Sequence, residues 1–190
     1  MGGLEAGKYY HIYNRGNNRE NLFAEARNYA YFLKLYTNHI EPVAATFAYC
    51  LLRSHFHLLV RIAEPRPVQS TPSRAFSNLF NAYARSYNRA YGRTGSLFQR
   101  PFGRIEVMSE AYLKHLVTYI HTNPQKHGFV TDFRTWPYSS YHALTATMPT
   151  RLQRDEVLTW FAGDELREAQ LGGITANELE KLMPDDFSDA

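Results

Sequence analysis

Two imidazoles stand two residues apart in His55-Phe56-His57, inside an otherwise apolar stretch that contains Leu51-Leu52 and Leu58-Leu59-Val60. In an extended chain residues i and i+2 project from the same face, roughly 7 Å apart. Both rings can therefore converge on one ion while Phe56 points to the opposite, apolar side. Polar rings in such a stretch need a reason to be there. The pattern also fits a half-exposed pair on a sheet face, because His-x-His arises easily in a chain with 8 histidines. A second constellation is Tyr119 with Asn123, spaced i and i+4 and so stacked on one side of a helix. A phenol, with a free pKa near ~10, becomes a nucleophile once it is deprotonated or assisted by a metal. The Asn123 carbonyl oxygen could serve that metal. Among 14 tyrosines, Tyr119 also fits a boundary residue whose hydroxyl reaches water. His121 projects about 160° away from Tyr119 on the same helix and falls outside the site.

The elements that must hold these groups follow from periodicity. Tyr9 to Tyr13 reads as a first strand, closed by the loop-type residues Asn14-Arg15-Gly16-Asn17-Asn18. Tyr29, Phe32, Leu33, Tyr36 and Ile40 recur at helical spacing over about 24–40, and Pro42 forbids continuation. Two apolar runs, 44–52 and 56–62, separated by Arg53-Ser54, predict a hairpin. A second helix is predicted over about 73–91, with Phe76, Phe80, Tyr83, Tyr87 and Tyr91 on one side as core and Arg74, Arg85, Arg89 and Arg93 on the other. Phe102 to Val107 supplies a fourth strand, and Ser109-Glu110 opens a third helix. Pro124 disfavours helical geometry at Asn123 and places that residue at the helix end. Trp136-Pro137-Tyr138-Ser139-Ser140-Tyr141 reads as a loop packed back on the body, followed by short helices near 155–162 and 175–183. The order β-α-β-β-α-β plus a further helix predicts an α+β, ferredoxin-like split βαβ antiparallel sheet with an added C-terminal helix.

Composition narrows the function classes. The 190 residues, 44% hydrophobic, are enough for a compact core. No apolar run approaches the ~18 residues of a membrane span, and the first residues lack a basic segment leading into an apolar one, so a soluble, cytoplasmic protein is expected. The single Cys50 excludes an intramolecular disulfide and a multi-thiolate zinc site. The net charge of +3 conceals a split: residues 1–150 carry 17 Lys/Arg against 8 Asp/Glu, residues 151–190 carry 4 against 10. Seven arginines and no acid lie between Glu64 and Glu106. Arginine offers a planar donor fork that grips phosphate and stacks on bases, so a polyanion is the expected partner. A solvated basic surface fits the arginines alone equally well.

Several local strings carry a resemblance: Tyr10-His11-Ile12-Tyr13-Asn14-Arg15-Gly16-Asn17-Asn18-Arg19, His55-Phe56-His57-Leu58-Leu59-Val60, Gly95-Ser96-Leu97-Phe98-Gln99-Arg100, and Tyr119-Ile120-His121-Thr122-Asn123-Pro124. In this order they resemble the single-tyrosine HUH transposases, and within them the REP-associated tyrosine transposases, over about residues 8–145. Leu52-Arg53-Ser54 departs from the Met-Pro-Asn usual in that family, altering the hairpin turn but removing no ligand. The resemblance implies a transposase domain over 1–145 with an acidic helical extension over 146–190. It also implies that His55, His57 and Asn123 hold a divalent metal and that Tyr119 is the nucleophile. Mg²⁺ and Mn²⁺ both suit two imidazoles and an amide oxygen, the nitrogen ligands favouring Mn²⁺. Single-stranded DNA with an imperfect hairpin is the implied substrate, cut through a 5′-phosphotyrosine link that needs no ATP. Arg74, Arg85, Arg89, Arg93, Arg100 and Arg104 become candidates for backbone contact. Asn14, Arg15, Asn17 and Asn18, placed on a loop, become candidates for base contact. The family branch suggests a monomer, whereas its insertion-sequence relatives form homodimers.

Other readings compete. A domesticated hairpin binder would keep the fold and lose turnover. A replication initiator or conjugative nickase would share the chemistry but usually carries long partner domains. An RNA-binding module on this fold would stack bases on sheet aromatics rather than place two histidines there.

Overall fold

The computed structural model describes residues 3–64 and 70–161. Along the chain run β1 (Tyr9–Arg15), a 3₁₀ turn (Asn17–Arg19), α1 (Ala26–His39), β2 (Ala44–Leu51), β3 (His55–Ile62), α2 (Pro72–Ala90), β4 (Gly103–Val107), α3 (Glu110–Lys126), a second 3₁₀ turn (Phe133–Thr135), α4 (Tyr141–Thr145) and α5 (Arg154–Trp160). The four strands form one antiparallel sheet in the order β2-β3-β1-β4. That is the ferredoxin-like arrangement, with α3 added after the fourth strand.

Strand alternation sorts the side chains into two cores. Phe56, Leu58, Val60 and Ile62 of β3, with Tyr10 and Ile12 of β1, pack against α1 and α2. The opposite face carries His55, His57 and Leu59 of β3 and lies under α3, where Leu113, Leu116, Val117 and Ile120 close the second core. An irregularity in the β2–β3 register between Thr46 and Ala48 sets Phe47 and Ala48 both in this second core. The aromatic side of α2 is core, as its spacing predicts, and it also binds a loop. The hydroxyls of Tyr83 and Tyr87 donate to the Leu22 and Asn21 carbonyls at 2.6 and 2.9 Å.

Several boundaries differ from the sequence reading by a residue or two, and four differences have a physical reason or a consequence for packing. First, β1 runs on through Asn14 and Arg15, which pair with Phe56 and His55 of β3. Pairing with a neighbouring strand outweighs the poor intrinsic β preference of asparagine. Second, α3 continues past Asn123 through Pro124 to Lys126. Proline removes a single donor there, and the turn beyond it is held by His127 and Phe129 N–H groups donating to the Asn123 and Pro124 carbonyls at 3.0 and 2.9 Å. Third, the stretch expected as a loop at Tyr141 opens α4. Fourth, the short helix expected near 155–162 is α5, ending at Trp160. The segment before α4 does pack back on the body. The Trp136 indole donates to the Leu51 carbonyl at 3.0 Å, and Ser139 bridges Cys50 on the edge of β2. Val157, Trp160 and Phe161 of the α5 region belong to the second core. The helix expected near 175–183 lies outside the described residues, as does the rest of the acidic segment beyond Phe161.

Candidate active site

Where α3 crosses the sheet, the structure brings His55, His57, Tyr119 and Asn123 together. All four are buried, Tyr119 with 5% exposure and the others fully. His55 opens β3 directly after the turn at Leu52–Ser54, and alternation sends His57 to the same face. Helical spacing places Asn123 one turn beyond Tyr119, and Leu116 and Ile120 hold α3 on the sheet. The Tyr119 ring stands edge-on to His57 at 5.3 Å between centroids.

His55 Nε2 faces Asn123 Oδ1 at 3.4 Å. That is long for a strong hydrogen bond, yet near the roughly 3 Å that separates adjacent ligands bound at ~2.1 Å in an octahedral shell. The other nitrogen of His55, Nδ1, lies 3.1 Å from Ser54 Oγ, and the Asn123 amide nitrogen points to the Tyr119 carbonyl at 3.5 Å. These contacts turn His55 Nε2 and Asn123 Oδ1 toward each other. Among the described residues no three His, Cys, Asp or Glu side chains form a group able to hold a metal. An ion held here would therefore take two imidazoles and an amide oxygen, a donor set that fits Mn²⁺ or Mg²⁺ better than a structural zinc. Burial holds His57 well below the ordinary histidine range, with smaller contributions from His11, His55, His127 and Arg15. The ring is thus neutral and able to ligate.

Several residues at the site were missed by sequence reasoning. His11 of β1 is fully buried, and its Nε2 lies 3.0 Å from His57 Nδ1. Tyr13 packs its ring 4.9 Å from that of His11. It can do so because its strand neighbour is Gly103, where a Cβ would stand 2.1 Å from the Tyr13 ring. The His127 ring lies 4.9 Å from that of His55, and Lys126 Nζ lies 5.8 Å from the centre of the Tyr119 ring. Period-2 alternation puts Tyr9, His11 and Tyr13 on one face, which was a readable signal; the strand register that brings His11 to His57 was not. His121 points away from the site, its Nε2 2.8 Å from Ser140 Oγ.

The expected nucleic-acid contacts divide. Arg74, Arg85, Arg89 and Arg100 are exposed. An open groove between α2 and the segment 95–104 is lined by Asn78, Asn81, Arg85, Gln99, Arg100 and Arg104, among others. Arg93 does not belong with them. Its guanidinium is bound to Glu20, to Asn88 Oδ1 at 3.1 Å and to the Ser96 carbonyl at 3.0 Å, fastening the turn after α2. Asn14 and Arg15 are not on a loop either. Both are buried in β1, Asn14 on the groove side and Arg15 beside His55 on the histidine face. Asn17 and the exposed Asn18 do lie in the following turn, which hydrogen-bonds Ser54 and Leu97 through Gly16 and Asn17.

Fold and site together describe a ferredoxin-like sheet with a histidine, asparagine and tyrosine cluster on the α3 face and a basic groove on the α2 side. No family model matches the chain. Two curated relatives carry the name REP-associated tyrosine transposase. One, from Haemophilus influenzae, is 31% identical over 103 residues, covering 51% of this chain and 58% of that protein. The other, from Escherichia coli, is 26% identical over 95 residues, covering 50% and 53%. The chain thus matches little more than half the length of these relatives. The solved structure of a REP-associated tyrosine transposase bound to a REP hairpin shares the fold, with a TM-score of 0.57 at 22% identity over 78% of this chain and 86% of that one. The resemblance carried by the motifs is borne out by these relatives. Among the described residues no helix is long and apolar enough to cross a membrane.

Proposed function

We propose that this protein is a metal-dependent single-stranded DNA endonuclease and strand transferase that acts on hairpin DNA through Tyr119. The observation that supports this most directly is the convergence of Tyr119 on His57, and of His55 on Asn123, in one buried cluster. His55, His57 and Asn123 would hold Mg²⁺ or Mn²⁺, which supplies charge stabilisation to a scissile phosphate when bound. The Tyr119 phenolic oxygen attacks phosphorus, the bond from phosphorus to the 3′-oxygen breaks, and that oxygen leaves as a 3′-hydroxyl after taking a proton. A 5′-phosphotyrosine link remains, and its bond energy is retained for rejoining. The groove arginines Arg85, Arg100 and Arg104, with exposed Arg74 and Arg89, hold the DNA backbone, and Asn17 and Asn18 contact bases.

The test uses labelled single-stranded hairpin DNA from beside the protein's own gene, with Mn²⁺ or Mg²⁺, resolved on a denaturing gel for wild type and Tyr119→Phe. A metal-dependent covalent band absent from the variant is expected. Binding by both proteins with no adduct from either would make this a hairpin-binding protein without turnover.

A further inference from the structure

A third imidazole lies beneath the two that the sequence pairs, and it has no role in the site described so far. His11 and His57 sit diagonally across the β1–β3 pair, His11 opposite Leu59 and His57 opposite Tyr13. Their rings stack at 5.1 Å with an interplanar angle of 21°, and Tyr119 stands edge-on over both, 6.4 Å from His11 and 5.3 Å from His57. The contact between them is a hydrogen bond of 3.0 Å joining His57 Nδ1 and His11 Nε2. Both rings are fully buried, and a neutral imidazole carries a proton on one nitrogen only, so one ring must donate while the other accepts.

The two arrangements are not equivalent. With the shared proton on His57 Nδ1, His57 keeps a lone pair on Nε2 and can ligate through it. With the proton on His11 Nε2, His57 carries its own proton on Nε2 and cannot. The nitrogen of His11 remote from the contact, Nδ1, is buried and finds no hydrogen-bond partner among the described residues. A leucine or phenylalanine would fill the same volume without burying that polar atom. Packing alone does not explain histidine here.

We propose that His11 is a positioning residue: it accepts the Nδ1 hydrogen of His57, fixing the His57 tautomer and ring so that Nε2 is turned to the divalent ion. The inference rests on the metal-site reading above. Partners of this kind hold the ring orientation of ligating histidines and typically change metal affinity about 10–100-fold when removed.

Two measurements test it, one of which needs no metal. Long-range ¹H–¹⁵N correlation spectra of the imidazoles in metal-free wild type, assigned with His57→Gln, should show His57 as the Nδ1–H tautomer, and His11→Phe should lose that preference. Titration with Mn²⁺ alone, followed by the electron paramagnetic resonance of the free ion, should show affinity falling about 10–100-fold in His11→Phe. His11→Gln, whose side-chain oxygen can accept the same hydrogen, should recover part of the loss. A wild-type His57 in the Nε2–H form overturns the proposal, and so does an unchanged Mn²⁺ affinity in both variants. Wild type that shows the Nδ1–H tautomer but binds no Mn²⁺ overturns the metal reading and, with it, the purpose assigned to His11. Should His11→Phe unfold, the glutamine variant and the wild-type tautomer still decide.

Discussion

The two faces of the sheet are built from alternate residues of the same strands, yet they follow opposite rules. Toward α1 and α2, β3 presents Phe56, Leu58, Val60 and Ile62 to a core containing Phe32, Phe76, Phe80 and Tyr83. The buried tyrosine hydroxyls on that side reach backbone or hydroxyl partners, as Tyr83 does with Leu22 and Tyr36 with Thr46. Toward α3, the same strand presents His55 and His57, and they meet His11, Tyr119 and Asn123. One face satisfies its polar atoms within the protein, whereas the other gathers imidazoles around one another. A strand with period 2 lets a single segment serve both purposes, because a residue on the reactive face never competes for volume with its neighbour in the aromatic core.

Substitutions on the two faces should therefore fail differently. The largest effect belongs to Tyr119→Phe. The covalent DNA adduct should disappear, a loss of at least three orders of magnitude, while the unfolding free energy changes by no more than about 1 kcal/mol because one hydroxyl is removed. Urea melts beside the adduct assay check both halves; a variant that loses adduct only in proportion to its stability would erase the contrast between the faces. One residue before His57, Phe56→Ala should do the opposite. It opens a cavity among Phe32, Phe80 and Phe98, and a loss of about 3–5 kcal/mol is expected. Adduct formation should survive at temperatures where that variant remains folded.

The difference between the faces also decides what was legible in the sequence. Phe56 between two histidines, and the aromatic spacing of α2, are local patterns that alternation and helical periodicity translate directly into sides. The element order was enough for the sheet, and Tyr119 with Asn123 could be placed on one shoulder of α3 without knowing what faced them. What was hidden depends on pairing between distant segments. His11 becomes part of the site only through the β1–β3 register, and Arg15 moves from a loop to the histidine face because β1 extends beside His55. Arg93 looked like its exposed neighbours because helical angle says nothing of Glu20, far away in sequence. The passage of α3 through Pro124 was obscured for a local reason instead: proline costs the helix one donor, and the His127 and Phe129 N–H groups close its last turn on the Asn123 and Pro124 carbonyls.

Acid should separate the faces in the metal-free protein. His11 and His121 are buried neutral with pKa values of about 3, both through burial. The tyrosines of the aromatic core are pushed upward and do not titrate in acid. Since the folded pKa lies below the unfolded value near 6.5, the unfolded chain binds more protons between those limits. Stability is then highest above about pH 6.5 and falls as the pH drops toward 3, by up to about 1.4 kcal/mol per pH unit for each histidine. Urea midpoints at pH 7 and 5.5 should differ in wild type, and the difference should shrink in His121→Gln, which keeps a partner for Ser140. A midpoint that does not move over this range would mean that neither ring is held neutral.

The smallest effects concern the arginines around α2, where the aromatic side of the molecule meets its groove. Arg85 is exposed on the groove wall, whereas Arg93 is held by Glu20, Asn88 and backbone carbonyls. Arg85→Ala should weaken hairpin binding and lower the slope of log affinity against log salt by about 1, since one fewer phosphate is neutralised. Arg93→Ala should leave that slope unchanged and instead loosen the turn at Thr94–Ser96, visible as faster amide exchange there. Equal slopes for wild type and Arg85→Ala would remove Arg85 from the contact surface, and a lower slope for Arg93→Ala would show that its guanidinium leaves Glu20 for phosphate when DNA binds. Both variants remove one positive charge, so any divergence between them reports what each guanidinium already holds.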